Sequence, residues 1–428
     1  MRPLLSTAET RVLQAIDDEM LVSQLVELVR VPSVTGTDAE SELQHWHATQ
    51  LGRLGYDVDL WPLDLDQLAA DPGFPGTEAP RTEGYGVVAT TGPSGPDAPP
   101  ALVLQGHVDV VPTGDLDRWE DRDPWSGTIR AGRVHGRGAC DMKAGVAANL
   151  AVARAISTSG VRLERAFGVH VVVGEEDGGL GAFATVRRGH VADAAVITEP
   201  TSGRVVVANA GALTFALRVP GRAAHGSTRR EGRSAFEAFL PVHAALGELE
   251  RERNIDVDPL YGDLTLPYPI SVGIVRAGDW ASSVPDLLVA EGRLGVRLGE
   301  PVEQARAALV HAVAEVCARD PWLRDHPVDV SWPGGQFASG RIDPGHPLVA
   351  DVTGAVAAVE GRAVSLGAAP YGSDLRLYAD EGGVPTLHYG PGDVRFAHAP
   401  REQVDIEELL RVTRSLAVLV ARRCGARV

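Results

Sequence analysis

Four mainly apolar runs, at 101–105, 167–173, 194–198 and 384–389, constrain this chain most, because each closes on a cluster of polar residues. A run that is mainly apolar without alternation suits a strand buried on both faces, as in a parallel sheet. Helical spacing fills the gaps, notably at 145–157 and 180–188. Strand and helix alternating in this way predict an α/β domain. Open parallel sheets bind ligands outside the carboxyl ends of their strands. The polar clusters at those ends are therefore where chemistry is expected.

Residues 11–30 have apolar positions at helical spacing up to Pro32, which reads as one amphipathic opening helix. A second helix is expected at about 38–54, followed over 57–80 by a short strand and a surface insertion rich in Asp, Pro and Gly. The texture changes at about 213–330. Strands at 213–219, 269–275, 287–295 and 328–332 enclose helices at about 233–252 and 301–319, the β-α-β-β-α-β order of a split βαβ motif. The alternating pattern resumes near Pro347, and 404–423 closes the chain as a helix. The expected organisation is an α/β domain with a mostly parallel sheet, built from 1–210 and 334–428. A separate small α+β domain, ferredoxin-like, is expected as an insertion at 211–333. Gly92 to Pro100 reads as a short Pro/Gly loop rather than a linker.

Composition removes several function classes. With 40 Lys+Arg against 57 Asp+Glu, a formal charge of −17, the chain is a poor binder of nucleic acid or anionic membrane. No apolar run nears the roughly 20 residues of a membrane span, and the first 20 residues lack a signal-peptide core. A cytoplasmic protein is expected. The cysteines, Cys140, Cys317 and Cys424, are odd in number and far apart, so neither a disulfide framework nor a zinc knuckle is expected. Any metal must be held by His and carboxylate.

The strand ends supply such a set. His107 follows the first run, with Asp109 two positions on and facing the same side of an extended segment. A carboxylate on one imidazole nitrogen fixes the tautomer and raises the basicity of the other. Glu175-Glu176-Asp177 follows the second run, and three consecutive acids repel one another unless a cation or solvent separates them. Glu199 ends the third run, and the loop after the fourth ends at His398. Asp141 precedes an Ala-rich helix, where by itself it would read as an N-cap. Together, His107, Asp141, Glu176, Glu199 and His398 suit two divalent ions with an open position.

The strings GHVDVVP, WEDRDPWSG, GRVHGRGACDMKAG, GEEDGGLGA, ITEPT, GRAAHGS and HYGPGD with its later AH resemble a co-catalytic zinc family. Its members include acetylornithine deacetylase, succinyl-diaminopimelate desuccinylase, aminoacylase and carboxypeptidase G, and the likeness runs over about residues 20 to 415 in the family's order. The resemblance implies that Asp141 bridges two ions and precedes a cis peptide, that His107 and Glu199 complete one shell and Glu176 and His398 the other, and that Asp109 orients His107. It casts Glu175 as general base, which fits a pair of ions about 3.5–4 Å apart acidifying a shared water. It makes His225 a lid-domain histidine that stabilises the oxyanion, in dimeric relatives across the subunit boundary. Arg376 would bind a substrate carboxylate, a task that suits a guanidinium fork. In the lid, Ser282 stands where many relatives have Asn, and the usual arginine is displaced, leaving Arg293 as the candidate.

Other conspicuous residues read as structural. His45 and His47 do not share a helix face, and the glycines after Asp177 follow acids that would repel a nucleotide. Cys140 reads as a packing residue. Lys143, the single lysine, is accounted for by GC-rich codon usage. Its ammonium is nevertheless expected to anchor the Asp141 turn. The function expected is a metal-dependent amidohydrolase, with zinc first and cobalt or manganese as alternatives, acting on a small N-acylated amino acid or amine with an acetyl, formyl or succinyl group. The alternatives are a dipeptidase or carboxypeptidase and, from another class, a catalytically silent carboxylate-binding protein on the same scaffold.

Overall fold

The computed structural model describes residues 5–92, 98–262 and 264–428, so positions 93–97 of the Pro/Gly loop lie outside the described residues. The chain divides into two compact units. The first comprises Met1–Val207, Arg341–Gly367 and Asp374–Val428, and the second Ala208–Gly340 with Ala368–Ser373.

In the first unit the sheet order begins at one edge with Asp57–Pro62, Tyr85–Thr91, Phe167–Val172, Leu102–His107, Ala195–Ile197 and Thr386–His388, the first six of nine strands. The last four of these six are mutually parallel. The first two add an antiparallel edge. Every residue of Leu102–His107 and Phe167–Val172 is buried, which is why their sequences are mainly apolar without alternation. Strand Tyr85–Thr91 has no sequence counterpart among the expected strands, since its apolar stretch Val87-Val88-Ala89 is too short to stand out.

The opening segment is two helices, Thr7–Gln14 and Asp18–Val29, and not one. Ser6 and Glu9 form a capping box on the first, and Asp17 restarts the chain by accepting the Met20 N–H at 2.9 Å. An N-cap inside an amphipathic pattern thus overrides its periodicity. The helix Lys143–Thr158 is buried over most of its length, and its alanines allow close packing. Gly145 is the tightest case: a Cβ there would stand 2.2 Å from the Thr198 carbonyl oxygen. The residue after Thr198 is Glu199, so this contact sets the distance between the Asp141 turn and the third strand end.

The second unit is an antiparallel sheet in the order Ile270–Ala277, Leu287–Val296, Gly211–Pro220 and Asp329–Ser331, with Gln336–Phe337 also paired to Gly211–Pro220. Leu213, Phe215, Leu217 and Val219 alternate onto one face and pack with Phe239, Val242 and Leu246 of helix Ala235–Arg253 and Leu309 and Val313 of helix Val302–Arg319. No helix among the described residues is long and apolar enough to cross a membrane.

Three histidines are built into the interior of the first unit as neutral rings: burial lowers His47 to about 4 and His170 and His388 to about 3. Unfolding returns each to an ordinary value near 6.5, so between the two values the unfolded chain binds more protons and stability falls as pH drops. For His47 this amounts to about 2 kcal/mol between pH 7 and pH 5. Denaturant unfolding of wild type and His47→Gln at both pH values checks it. The variant should lose about that much less stability on acidification.

Candidate metal centre

His107 is the last residue of its strand and is fully buried. Its Nδ1 donates to the Asp109 backbone carbonyl at 2.9 Å and lies 3.5 Å from the Asp109 carboxylate. In the neutral ring that contact keeps the proton on Nδ1 and leaves the Nε2 lone pair facing the cleft, the form that a metal ion binds. The Asp109 carboxylate has further tasks: it accepts the backbone N–H groups of Glu175 at 3.2 Å and Glu176 at 3.1 Å, and the Thr35 hydroxyl at 3.1 Å. One buried carboxylate thus places two neighbouring acids relative to the imidazole.

Asp141 precedes a cis peptide to Met142. Its own N–H and that of Cys140 both donate to Glu402, at 3.0 and 3.1 Å. Arg137 holds Glu402 in a buried ion pair and donates to the Pro112 carbonyl. The segments carrying His107, Asp141 and His398 are tied together at this point. The two carboxylate oxygens of Asp141 face different imidazoles, Oδ1 lying 3.3 Å from His107 Nε2 and Oδ2 lying 3.5 Å from His398 Nε2. Glu176 lies 3.0 Å from His398 Nε2, while Glu199 and Glu175 lie 3.7 and 3.8 Å from His107 Nε2. His398 has a φ of +57°, in the left-handed region that few non-glycine residues occupy, as do Asp121, Arg122, Ala131 and Ser202.

The electrostatics describe an excess of negative charge. Burial pushes the Glu175 and Glu199 carboxyls well above their ordinary range; His107 opposes the shift, and other acids, including Glu199 beside Glu175 and Asp141 beside Glu199, add to it. Burial also raises Glu176. The Glu176 charge in turn lifts His398 to about 11. His107 rises well above 6.5 although burial opposes it, because the Asp109 and Asp141 carboxylates lie 3.5 and 3.3 Å from its two ring nitrogens. Among the described residues, His107 Nε2 and Glu176 Oε1 are buried with no hydrogen-bond partner of good geometry. Ligand atoms of His107, Asp141 and Glu176, and of His107, Glu175 and Glu199, lie within 4.8 Å of one another. Orphaned lone pairs amid crowded acids fit divalent cations.

Several residues of the centre carry no sequence signal. Glu402 and Arg137 act through contacts more than 250 residues apart in the chain, which no local pattern reveals. Asp374 is buried beside Gln105, whose amide donates to it at 2.8 Å, and burial pushes its carboxyl up to about 7. Arg376 is buried and donates to the Gly178 carbonyl at 2.9 Å. Lys143 corrects the expectation made for it. Its ammonium donates to the Leu28 and Val31 carbonyls at 2.9 and 2.7 Å, capping the end of helix Asp18–Val29, and the Asp141 turn is held by Glu402 instead.

Three expected residues belong to the second unit. His225 is exposed, N-caps a short 3₁₀ helix and has its Nδ1 2.7 Å from the Ser227 hydroxyl. The Ser282 carbonyl accepts the Gly226 N–H at 2.6 Å, which brings Ser282 beside the His225 loop. Arg293 donates to the Pro370 carbonyl at 3.0 Å.

Against known families, the signature of "Peptidase family M20/M25/M40" matches residues 103–422. The chain belongs to this peptidase family. Among its relatives, the N-formyl-4-amino-5-aminomethyl-2-methylpyrimidine deformylase of Bacillus subtilis is 28% identical over 405 residues, covering 90% of this chain and 89% of the relative. The enzyme of the same name from Halalkalibacterium halodurans is 27% identical over 409 residues, covering 90% of each. Solved structures share the fold: the di-peptidase Dug1p of Saccharomyces cerevisiae has a TM-score of 0.80 at 16% identity, covering 98% of this chain and 99% of that one. Human carnosine dipeptidase 1 has a TM-score of 0.75 at 15% identity, covering 97% and 100%. The protein is accordingly an M20 hydrolase acting on C–N amide bonds, a family whose chemistry uses divalent metal.

Zinc or cobalt at a hundred times its Kd should stabilise the folded protein by about 2.7 kcal/mol, read as a raised thermal midpoint. Asp141→Asn should abolish most of that rise, because both imidazoles then lose their shared carboxylate.

Proposed function

We propose that this M20 hydrolase removes a small acyl group, formyl foremost, from an amine, using two divalent ions. Zinc suits the His and carboxylate donors, with cobalt or manganese as substitutes. The observation that carries the reading is Asp141, whose two oxygens face two imidazoles with Glu175, Glu176 and Glu199 around them. We assign His107 and Glu199 to one ion, Glu176 and His398 to the other, and Asp141 to both.

When bound, such ions supply Lewis acidity toward an amide carbonyl and lower the pKa of a water. Glu175 accepts the proton of the attacking water at its carboxylate and returns it to the nitrogen as the C–N bond breaks, releasing formate and the amine. Asp109 keeps the His107 tautomer and the Glu175 backbone in place throughout. His225, assigned on the family resemblance alone, donates a hydrogen bond to the developing oxyanion from a second copy of the chain.

Formyl is favoured because two relatives aligned over 90% of this chain bear the name of a formyl-aminopyrimidine deformylase. A substrate of that kind needs no carboxylate clamp. Arg376 and Arg293 each donate to a backbone carbonyl, of Gly178 and Pro370. Should the substrate carry a carboxylate, Arg376, Arg293 and Ser282 are the groups we assign to it.

A homodimer through the second unit is also proposed. Strand Ile270–Ala277 is the sheet edge, and it exposes Ile274 and Val275 while helix Ala235–Arg253 exposes Phe236 and Leu240. An apolar edge of this kind calls for a cover. The three cysteines are free and buried, in keeping with a reducing, cytoplasmic setting.

The deciding experiment incubates the metal-loaded protein with N-formyl amines, including the formyl-aminopyrimidine, N-acetyl and N-succinyl amino acids, and dipeptides. Released acids and amines are read by mass spectrometry. Formyl amines should give the highest kcat/KM; cleavage of dipeptides alone would replace the reading with a dipeptidase. Glu175→Gln should lower kcat about 100- to 10,000-fold with metal content unchanged. Mixing the inactive variants His225→Ala and Glu175→Gln should restore activity if His225 acts across subunits. No recovery despite subunit exchange would remove that role.

A further inference from the structure

The acidic loop that follows strand Phe167–Val172 contains three acids, and two of them have roles above. The third, Asp177, points away from the imidazoles into a buried network. Its Oδ2 accepts the Thr77 hydroxyl at 2.6 Å and the backbone N–H groups of Glu78 and Ala79 at 3.1 and 2.9 Å. Its Oδ1 lies 3.3 Å from Nη2 of Arg81. The other side of that guanidinium lies 3.2 Å from Glu40, and Glu40 accepts the Gly174 N–H at 3.0 Å and the Gly36 N–H at 2.6 Å. All three charged side chains are nearly excluded from solvent, at 3 to 6% exposure.

The segment Phe74 to Arg81, which reads in sequence as the end of a surface insertion, is thus a strap across the loop. Phe74 packs edge-on against Phe183 of helix Leu180–Arg187, with ring centroids 6.2 Å apart. Gly178 touches the strap so closely that a Cβ would stand 2.2 Å from the Gly76 carbonyl oxygen. The loop is therefore held at Gly174 by Glu40, at Glu175 and Glu176 by Asp109, and at Asp177 and Gly178 by the strap. Arg81 joins the two outer anchors, Glu40 and Asp177.

We propose that Arg81 is a positioning residue for the reaction: by bridging Glu40 and Asp177 it sets where Glu175 and Glu176 present their carboxylates. The inference rests on the roles assigned above to those two residues. It gives the three-acid run a division of labour in which Asp177 anchors, Glu176 holds an ion and Glu175 moves the proton. Loss of the cation leaves Glu40 and Asp177 with only their backbone and Thr77 donors, so water drawn toward the two acids lets the loop shift.

The test titrates metal-free wild type, Arg81→Met and Asp177→Asn with Co²⁺, following visible absorption, and measures kcat and KM on the best substrate. In both variants the affinity for one cobalt equivalent should fall about 10- to 100-fold with a changed spectrum, and kcat should fall by a similar factor while KM stays within about twofold. Arg81→Lys, which keeps the charge but not the fork, should lie between Met and wild type. Wild-type cobalt affinity and spectrum in a folded Arg81→Met protein would overturn the proposal. If Arg81→Met does not fold, Asp177→Asn decides by the same criteria, and failure of both to fold overturns it in favour of a purely structural network. A wild type that cleaves nothing in the substrate panel, yet loses cobalt affinity on substitution, refutes the proposed reaction and leaves the positioning role standing. An active wild type with unchanged cobalt titration does the reverse.

Discussion

Repulsion among five carboxylates at the mouth of one parallel sheet is the constraint on which the rest of the first unit depends. Asp109, Asp141, Glu175, Glu176 and Glu199 converge on two imidazoles, and four of the five are assigned here to hold ions or move a proton. Such a cluster does not assemble unaided, because bringing anions out of water and next to one another opposes folding. The fold answers with directed donors. Backbone N–H groups of Glu175 and Glu176 point at Asp109, and the Cys140 and Asp141 N–H groups point at Glu402. Each segment is fixed by a bond that does not use the oxygens facing the cleft.

Two buried arginines extend this arrangement outward. Arg137 pairs with Glu402 behind the Asp141 turn, and Arg81 joins Glu40 to Asp177 behind the acidic loop. Both are flanked by acids that take no part in the proposed chemistry. Their common effect is to fix backbone beside the cleft, so that side chains from distant parts of the chain meet there. The bulk charge of −17 therefore says little about the cleft, where cations and directed N–H groups offset the acids locally.

Much of this was legible before any coordinates. The apolar runs announced buried parallel strands, and their polar termini marked His107, Glu175, Glu176, Glu199 and the His398 loop as one neighbourhood. Helix Asp38–Arg53 and the closing helix Ile406–Arg423 were expected at about 38–54 and 404–423. What escaped was of two kinds. Short elements such as Tyr85–Thr91 and the break at Asp17 carry too few residues for a periodic signal to outweigh their neighbours. Residues such as Glu402, Arg81 and Glu40 act through contacts tens to hundreds of positions away, and an isolated Glu or Arg in a polar segment looks like any solvated charge.

The sequence by itself determined the fold class and the residue types available for metal and proton transfer, because periodicity and strand-end chemistry are local properties written in consecutive residues, and its motif strings carried the family resemblance. Only the tertiary structure decided which side of each acid faces the cleft. It alone showed that Lys143 caps a helix rather than the Asp141 turn, and that a segment resembling a surface insertion straps the acidic loop. Those outcomes depend on which backbone donors lie within about 3 Å of each carboxylate. That is a matter of packing between segments far apart in the chain, and no stretch of sequence contains it.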